Sequence, residues 1–175
     1  MTGKAPEYYM RQTLALASEA LELGEFPIAA IVVLDGRVIA QGTTSEKRED
    51  RFLGHAELVA LEAADKLGLS FDERRAARLF TTLEPCLMCV GAAMSFFLGE
   101  IYYGLESPAD GAVDLVKSWV RRECDMPGYR VPRIVGGLLR EESIRLFEAY
   151  VAQSEPGPMR DWAETLTRLY DKRGM

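Results

Sequence analysis

The chain has 175 residues, of which 48% are hydrophobic and 27% are charged, a composition typical of one globular domain with a proper core. No uncharged apolar run approaches the ~20 residues of a transmembrane helix, so nothing in the sequence suggests a membrane span. The net charge of the chain is -6, whereas most nucleic-acid-binding proteins are positively charged. The charge therefore argues against a protein whose main function is to bind nucleic acid.

The first third of the sequence predicts a helix followed by a β-hairpin. Apolar residues recur at helical spacing over residues 7–23. The β-branched run at 28–34 and the segment 37–41 flank the turn Asp35-Gly36, a pattern typical of a hairpin. Residues 42–54 are polar and charged and predict a loop.

Helices and strands alternate along the rest of the chain. The predicted elements are a helix over 55–67, a strand over 78–83, a helix over 86–97, a strand over 101–103, a helix over 113–122, a strand over 131–135 and a helix over 144–151. This alternation predicts an α/β sheet with helices on both faces. A linker at 154–158 precedes a last amphipathic helix, in which Trp162, Leu166 and Leu169 recur at i, i+4 and i+7.

Two features bear on the cellular compartment. Residues 1–6 contain no apolar stretch behind Lys4, so we expect no secretory signal and a cytoplasmic location. The three cysteines, an odd number, do not suggest a disulfide framework. In a reducing compartment the pair Cys86 and Cys89 more often marks a metal or redox site.

The single histidine and two of the three cysteines lie in two short motifs, His55-Ala56-Glu57 and Pro85-Cys86-Leu87-Met88-Cys89. One imidazole and two thiols make three soft ligands, one fewer than a closed zinc site needs. A zinc ion with three protein ligands keeps its fourth position for water, which is the arrangement of a catalytic site. The nearby Glu57 is then the candidate proton carrier.

Helix geometry constrains how these residues can meet. Cys86 and Cys89 share one face of a helix, whose positive end favours the thiolate. His55 and Glu57 would point about 200° apart in the middle of a helix, so they serve one site only if it lies off the helix end. We therefore expect two helix N-termini to converge on the metal.

This arrangement predicts hydrolytic chemistry. A zinc ion lowers the pKa of its bound water toward ~7. Glu57 would accept the water proton and pass it to the departing group. We expect the backbone N–H of Cys86 to stabilise the developing charge.

Other interpretations of the same residues remain open. The Cys-x-x-Cys is compatible with a thioredoxin-like redox pair, and a lone His-x-Glu is usually chance. A structural zinc site would take Cys124 as its fourth ligand, although an ordinary free thiol is the simpler interpretation. A local basic stretch is more simply a solvated surface than an RNA site; it consists of Lys117, Arg121, Arg122, Arg130 and Arg133.

The two motifs together are the signature of the zinc-dependent nucleoside and nucleobase deaminases, which the chain resembles. Residues 81–92 and 25–33 are similar to the tRNA adenosine deaminase and guanine deaminase branch. Tyr103-Gly104 and Asp110-Gly111-Ala112 resemble a later loop of that branch. The resemblance covers roughly residues 8–151.

The resemblance implies a fold, a metal site and an assembly. The fold would be a three-layer α/β/α sandwich around a five-stranded mixed sheet, the cytidine deaminase-like fold. His55, Cys86 and Cys89 would bind Zn2+, and Glu57 would be the catalytic acid and base. Members of this family usually form a dimer or a larger oligomer, and we expect a homodimer. From the linker and the last helix we expect residues 1–153 to form the catalytic domain and 154–175 to be a linker and an amphipathic helix packed on the domain or on a partner subunit.

Three departures from the branch concern the substrate. Thr44 stands where the branch has an asparagine, and a hydroxyl cannot make the paired contacts of an amide. Tyr150 keeps an aromatic residue near the end of the last core helix, but residues 152–155 have lost the basic character that follows it in the tRNA enzymes. Extra residues between Ala112 and Val131, and the helix past Pro158, are candidates to close the pocket to a large RNA.

We therefore expect a deaminase of a small nucleobase, nucleoside or related heterocycle, with tRNA possible but disfavoured. The alternatives are a tRNA-specific adenosine deaminase and a catalytically silent zinc-binding module. The predicted substrate contacts are Thr44, Ile28, Ala56, Pro85 and Tyr150. Trp162 is also able to stack on a planar substrate, but packing on the core or on a partner subunit is the simpler interpretation.

Overall fold

The structure is a computed structural model that describes residues 4–124 and 126–171, without the side chains of residues 169–171. Its elements in chain order are α1 (Pro6–Glu22), β1 (Ala29–Leu34), β2 (Arg37–Thr43), α2 (Glu46–Glu49), α3 (Ala56–Asp65), α4 (Phe71–Ala76), β3 (Arg78–Leu83), α5 (Leu87–Ser95), β4 (Glu100–Leu105), α6 (Val113–Lys117), β5 (Arg133–Val135), α7 (Arg140–Gln153) and α8 (Pro158–Asp171). In the described part of the chain, no helix has the length and apolar character to cross a bilayer.

The strands form one five-stranded mixed sheet in the order β2-β1-β3-β4-β5. β1 is antiparallel to both β2 and β3, whereas β3, β4 and β5 run parallel. All six residues of β1 are buried, because this strand lies inside the sheet and is covered on both faces. The predicted mixed sheet is confirmed.

Helices cover the sheet on both sides, which gives the predicted three layers. One core joins α3 and α5 to the sheet through residues such as Ala60, Ala93 and Leu79. The core on the other face joins α1 to the sheet through Tyr9 and Phe80. The last helix, α8, packs against α7 in a third cluster.

Several boundaries differ from the prediction. The segment predicted as a loop over 42–54 contains the short helix α2, and α7 spans residues 140–153, of which 144–151 were predicted as part of a helix. The helix predicted over 113–122 ends at Lys117, where the Ser118 hydroxyl bonds to the backbone carbonyl of Leu115. The side chain of Leu169, predicted to belong to the apolar stripe of α8, lies outside the described side chains, and residues 1–3 lie outside the described residues.

The short helix α4 was not predicted, although a local signal for it exists. Ser70 accepts a hydrogen bond from the Glu73 backbone N–H, while the Glu73 carboxylate accepts from the Ser70 backbone N–H. This reciprocal pair is a capping box, which marks the start of a helix.

Candidate active site

The residues of both motifs sit at the starts of two helices. His55 is the N-cap of α3, and Cys86 is the N-cap of α5, with extended backbone at both positions. Cys89 follows in the first turn of α5, and the residue before Cys86 is Pro85. α5 follows directly after β3, so the cysteines lie at the carboxyl edge of the parallel strands, where open α/β sheets bind ligands.

The geometry of the three candidate ligands fits a zinc ion. The Nδ1 atom of His55 lies 3.6 Å from the Sγ atom of Cys86 and 3.6 Å from that of Cys89. The two sulfur atoms are 3.5 Å apart, too far for a disulfide. Tetrahedral zinc with ordinary bond lengths separates its ligand atoms by about 3.6 Å for N and S and about 3.8 Å for two S atoms.

Cys124 takes no part in this cluster. Its side chain is exposed, whereas the candidate ligand atoms of His55, Cys86 and Cys89 all lie within 4.8 Å of one another. The interpretation as a structural zinc site with Cys124 as fourth ligand is therefore wrong for this arrangement. Three protein ligands leave a coordination position for water.

Hydrogen bonding couples the charges of the three side chains. The hydrogen bond with Cys86 raises the pKa of His55 to about 9. The hydrogen bond from Cys89, together with that from His55, lowers the pKa of Cys86 to about 4, so this side chain is a thiolate at neutral pH. Donation of that bond raises the pKa of Cys89. Because zinc takes thiolates and neutral imidazole, its binding here displaces protons.

Glu57, the second residue of α3, is buried beside the cluster with 3% of its surface exposed. Its Oε1 atom accepts a hydrogen bond of 2.9 Å from the Thr81 hydroxyl, and its Oε2 atom lies 3.5 Å from the Sγ atom of Cys89. Burial raises the pKa of the Glu57 carboxyl. The hydrogen bond from β3 therefore holds this carboxyl in one orientation next to the candidate metal ligands.

The site opens into a cavity of about 380 Å³. The cavity is lined by Phe26, Ile28, Thr44, Glu46, His55, Ala56, Glu57, Leu83, Glu84, Cys86, Ala109, Asp110, Met159 and Trp162. Four of these residues are carboxylic acids, and among the described residues neither lysine nor arginine lines the cavity. The remainder of the wall is mostly apolar or aromatic, as in most small-molecule sites.

Comparison with known proteins identifies the family. Residues 4–105 match the family model described as the cytidine and deoxycytidylate deaminase zinc-binding region. The chain belongs to this family. Both motifs of the deaminase lie within the matched residues, and the predicted zinc-dependent hydrolytic chemistry and the zinc cofactor are confirmed.

Individual relatives of the deaminase have different substrates. The tRNA-specific adenosine deaminase of Agrobacterium fabrum is 33% identical over 143 residues, which cover 82% of this chain and 91% of that protein. The tRNA(Ile)-lysidine synthase of Deinococcus radiodurans is 38% identical over 139 residues, which cover 78% of this chain but only 23% of the synthase. A solved structure of guanine deaminase from Nitrosomonas europaea has a TM-score of 0.65 and 28% identity, with 86% of each chain covered.

The deaminase spans only about a quarter of the lysidine synthase that it matches. The tRNA-specific relative does not support our prediction that tRNA is a disfavoured substrate. The family match fixes the reaction class and leaves the choice between a small base and tRNA to the geometry of this site.

The structure brings three of the five predicted substrate contacts to the cavity of the deaminase. Ile28, Thr44 and Ala56 line it. Thr44 is buried, and its hydroxyl donates a long hydrogen bond of 3.4 Å to the backbone carbonyl of Ile28. Cys86 also lines the cavity, and it forms an isolated antiparallel bridge with Gly111, in the loop that carries Asp110.

The other two predicted contacts are not among the lining residues. Pro85 is buried, and its carbonyl accepts a hydrogen bond from the backbone N–H of Ala112. The Tyr150 ring is 2% exposed and packs against Phe26, while its hydroxyl accepts a hydrogen bond of 2.9 Å from the Lys47 ammonium. Tyr150 therefore stands behind the cavity wall, because α7 lies on the far side of Phe26.

Several residues that line the cavity were not predicted from the sequence. Glu46 is the first residue of the short helix α2 and Asp110 lies in the loop after β4, and no spacing rule connects them to the metal motifs. Glu84 was recognisable from the sequence as a candidate site residue, because it directly precedes Pro85-Cys86. In the structure its carboxylate accepts hydrogen bonds from the backbone N–H groups of Ser107 and Val113. These two bonds hold the loop that carries Asp110 over the cavity.

Proposed function

We propose that this deaminase removes the exocyclic amine of a purine-sized base or nucleoside by hydrolysis and releases ammonia. The observation that carries the proposal is the position of α8. This helix contributes Met159 and Trp162 to the wall of the cavity that holds the candidate metal ligands. A cavity of about 380 Å³ with an aromatic wall suits a small planar heterocycle.

The aromatic wall is held in place by the core. The Trp162 ring contacts Phe26 edge-on at 5.4 Å between ring centroids, and it contacts Phe147 at 6.1 Å. Trp162 therefore packs on the core, as the simpler interpretation predicts, and it also lines the cavity. A fixed indole ring is a stacking surface for a base.

The charge of the lining supports a substrate recognised by its N–H groups. Glu46 and Asp110 place carboxylates in the wall, and carboxylates accept hydrogen bonds from ring N–H and amino groups. The same charges repel phosphate, which favours a free base or nucleoside over a nucleotide.

The proposed reaction assigns one task to each residue. His55, Cys86 and Cys89 would hold the zinc, which when bound would supply a Lewis acid to activate a water molecule as the nucleophile. The water oxygen adds to the ring carbon that bears the amine, and the bond from this carbon to the amine nitrogen then breaks. Glu57 passes one proton of the water to the leaving nitrogen, and the second proton of the water ends on the adjacent ring nitrogen, so that a ring carbonyl and ammonia result.

A second candidate substrate is an adenosine of tRNA, and the 33% identity to a tRNA-specific adenosine deaminase favours it. An adenosine would enter the same cavity as a base turned out of its strand. The basic stretch offers exposed positive charges for phosphate contacts; its exposed members are Lys117, Arg121, Arg122, Arg130 and Arg133.

We further propose a homodimer in which the faces around the helix starts meet. Three large apolar side chains near the metal motifs are strongly exposed, Phe52 at 85%, Leu53 at 65% and Leu87 at 59%. Apolar side chains grouped in this way commonly mark contacts between proteins. Light scattering measures the mass directly, and a monomeric mass at micromolar concentration would contradict this assembly.

The substrate is tested by an ammonia-release screen of adenine, guanine, cytosine and their nucleosides, run beside an anticodon stem-loop assayed for inosine. We expect a free base or nucleoside to be turned over, with no inosine in the RNA. Inosine formation that weakens steeply as salt rises would instead establish the tRNA substrate.

The role of Glu57 is tested by Glu57→Gln, with Glu62→Gln as the matched control. Glu62 lies on the same helix, and its side chain is 65% exposed. We expect Glu57→Gln to lower kcat by about 10²–10⁴-fold while bound zinc stays at one ion per chain. Full activity in this variant would refute the assignment of the proton carrier.

A further inference from the structure

The carboxylate of Glu46 lies beside the imidazole edge that faces away from the cysteines. Its Oε1 atom is 3.5 Å from the Nε2 atom of His55, while Nδ1 of the same ring faces both sulfur atoms at 3.6 Å. The ring therefore has a different partner on each nitrogen. Glu46 also lines the cavity.

The two ring nitrogens have opposite requirements when the imidazole is a metal ligand. Nδ1 must present its lone pair to the metal, so the proton of the neutral ring resides on Nε2. An N–H at Nε2 needs an acceptor, and the carboxylate of Glu46 is the group placed there. Carboxylates in this position orient the imidazole and make it a stronger ligand.

We propose that Glu46 is a positioning residue that holds His55 in the Nε2-protonated tautomer, and that Glu25 in turn holds Glu46. The proposal depends on His55 binding zinc through Nδ1, and it is independent of which heterocycle the enzyme deaminates.

Glu25 acts on Glu46 through the backbone of α2. Glu25 is 1% exposed, and its carboxylate accepts hydrogen bonds from the backbone N–H of Arg48 at 2.6 Å and that of Lys47 at 3.2 Å. The N-cap residue of α2, Ser45, makes no side-chain capping bond. A carboxylate from outside the helix thus performs the capping, and it fixes the turn that carries Glu46.

Lys47 ties the same turn to two other parts of the fold. Its ammonium donates to the backbone carbonyl of Gly24 at 3.0 Å and to the Tyr150 hydroxyl at 2.9 Å. The side chain of Glu46 is only 27% exposed. The turn is therefore anchored from both the end of α1 and α7, which suits a positioning role.

The single histidine of this chain makes the tautomer directly measurable. In protein labelled with ¹⁵N-histidine and loaded with Zn2+, the ring spectrum contains only His55. We expect a resolved Nε2–H proton in the native protein and in Glu46→Gln, whose amide oxygen still accepts a hydrogen bond. We expect Glu46→Ala to lose this signal through exchange with water.

Zinc affinity provides the second readout, measured by competition with a chromogenic chelator and without any substrate. Glu46→Ala should bind Zn2+ about 10–100-fold more weakly, and Glu46→Gln should recover most of that loss. Glu49→Ala is the matched control, because Glu49 lies on the same turn with 41% of its side chain exposed and pairs with Arg48 and Arg51. This control should bind zinc like the native protein.

The role of Glu25 is tested by Glu25→Ala and by the milder Glu25→Gln, which covers the case in which the alanine variant does not fold. Either variant should weaken zinc binding, as Glu46→Ala does. Adding Glu25→Gln to Glu46→Ala should lower the zinc affinity by less than a further twofold, because Glu25 acts through Glu46.

Two results would overturn the proposal. One is a zinc affinity of Glu46→Ala equal to that of Glu49→Ala, together with an unchanged Nε2–H signal. The other concerns only the role of Glu25, and it is a double variant in which Glu25→Gln lowers the zinc affinity by as large a factor as it does alone. Neither measurement involves deamination, so these results are independent of the proposed substrate.

Discussion

The docking of α8 can be tested by removing one buried side chain, Leu166. This residue is 1% exposed and lies in a cluster with Phe147 and Ala163, which are 0% exposed. The helix carries Met159 and Trp162 into the cavity wall. Leu166→Ala therefore perturbs the attachment of α8 without changing any residue that lines the cavity.

The expected magnitude follows from the burial. Truncation of a fully buried leucine to alanine costs 2–5 kcal/mol, and the loss is smallest where neighbouring groups can move into the space. α8 is the last helix and packs mainly on α7, so we expect about 2–3 kcal/mol. For a chain of this length each kcal/mol lowers Tm by about 2–4 °C, which gives a fall of about 4–12 °C.

Thermal unfolding followed by circular dichroism measures the stability, and steady-state kinetics on the substrate found in the screen measures the function. Because loosening α8 displaces Trp162, KM should rise more than kcat falls. Arg168→Ala is the control on the same helix, since its side chain is 67% exposed and its ion pair with Glu164 is worth only about 0.5 kcal/mol.

A fall in Tm of less than 2 °C for Leu166→Ala would refute the docking of α8 on α7. A large fall in Tm with an unchanged KM would leave the docking intact, but it would contradict the role of α8 as a wall of the substrate site. The predicted division of the chain after residue 153 stays a prediction, which the same variant addresses.

Three further predictions concern the site. Removal of zinc with a chelator should abolish ammonia release. It should also lower the free energy of unfolding by about 3 kcal/mol relative to protein at a free zinc concentration 100 times Kd. Ammonia release by protein shown to be metal-free would contradict the first expectation. Thr81→Val, which removes the hydrogen bond to Glu57, should lower kcat about tenfold with KM unchanged, whereas an effect on KM alone would place Thr81 in substrate binding. Tyr150→Phe removes the acceptor of the Lys47 bond and should cost about 1 kcal/mol in urea unfolding with KM within twofold of native; a tenfold rise in KM would restore Tyr150 as a substrate contact.

The sequence by itself determined the reaction class and the layered fold. His55, Cys86 and Cys89 are recognisable because few side chains bind zinc and because helix starts bring short motifs of this kind to one point. The hairpin of β1 and β2 was predictable because β1 is a continuous apolar run that ends at a turn signal, whereas the mixed sheet was implied by the family resemblance. The capping box at Ser70 shows that α4 was also encoded locally.

The tertiary structure alone decided how the cavity is built around these residues. α2 depends on a carboxylate more than twenty positions earlier in the chain, so the polar segment 42–54 contains no local signal for it. The apolar stripe of α8 predicts burial but does not show that Trp162 reaches the metal motifs. Tyr150 illustrates the converse, because its aromatic ring suggested a substrate contact and the packing of α7 places it behind Phe26. Zinc ligation depends on side-chain chemistry that a short motif carries, whereas the wall of a cavity depends on contacts between residues far apart in sequence, and only the folded chain brings those together.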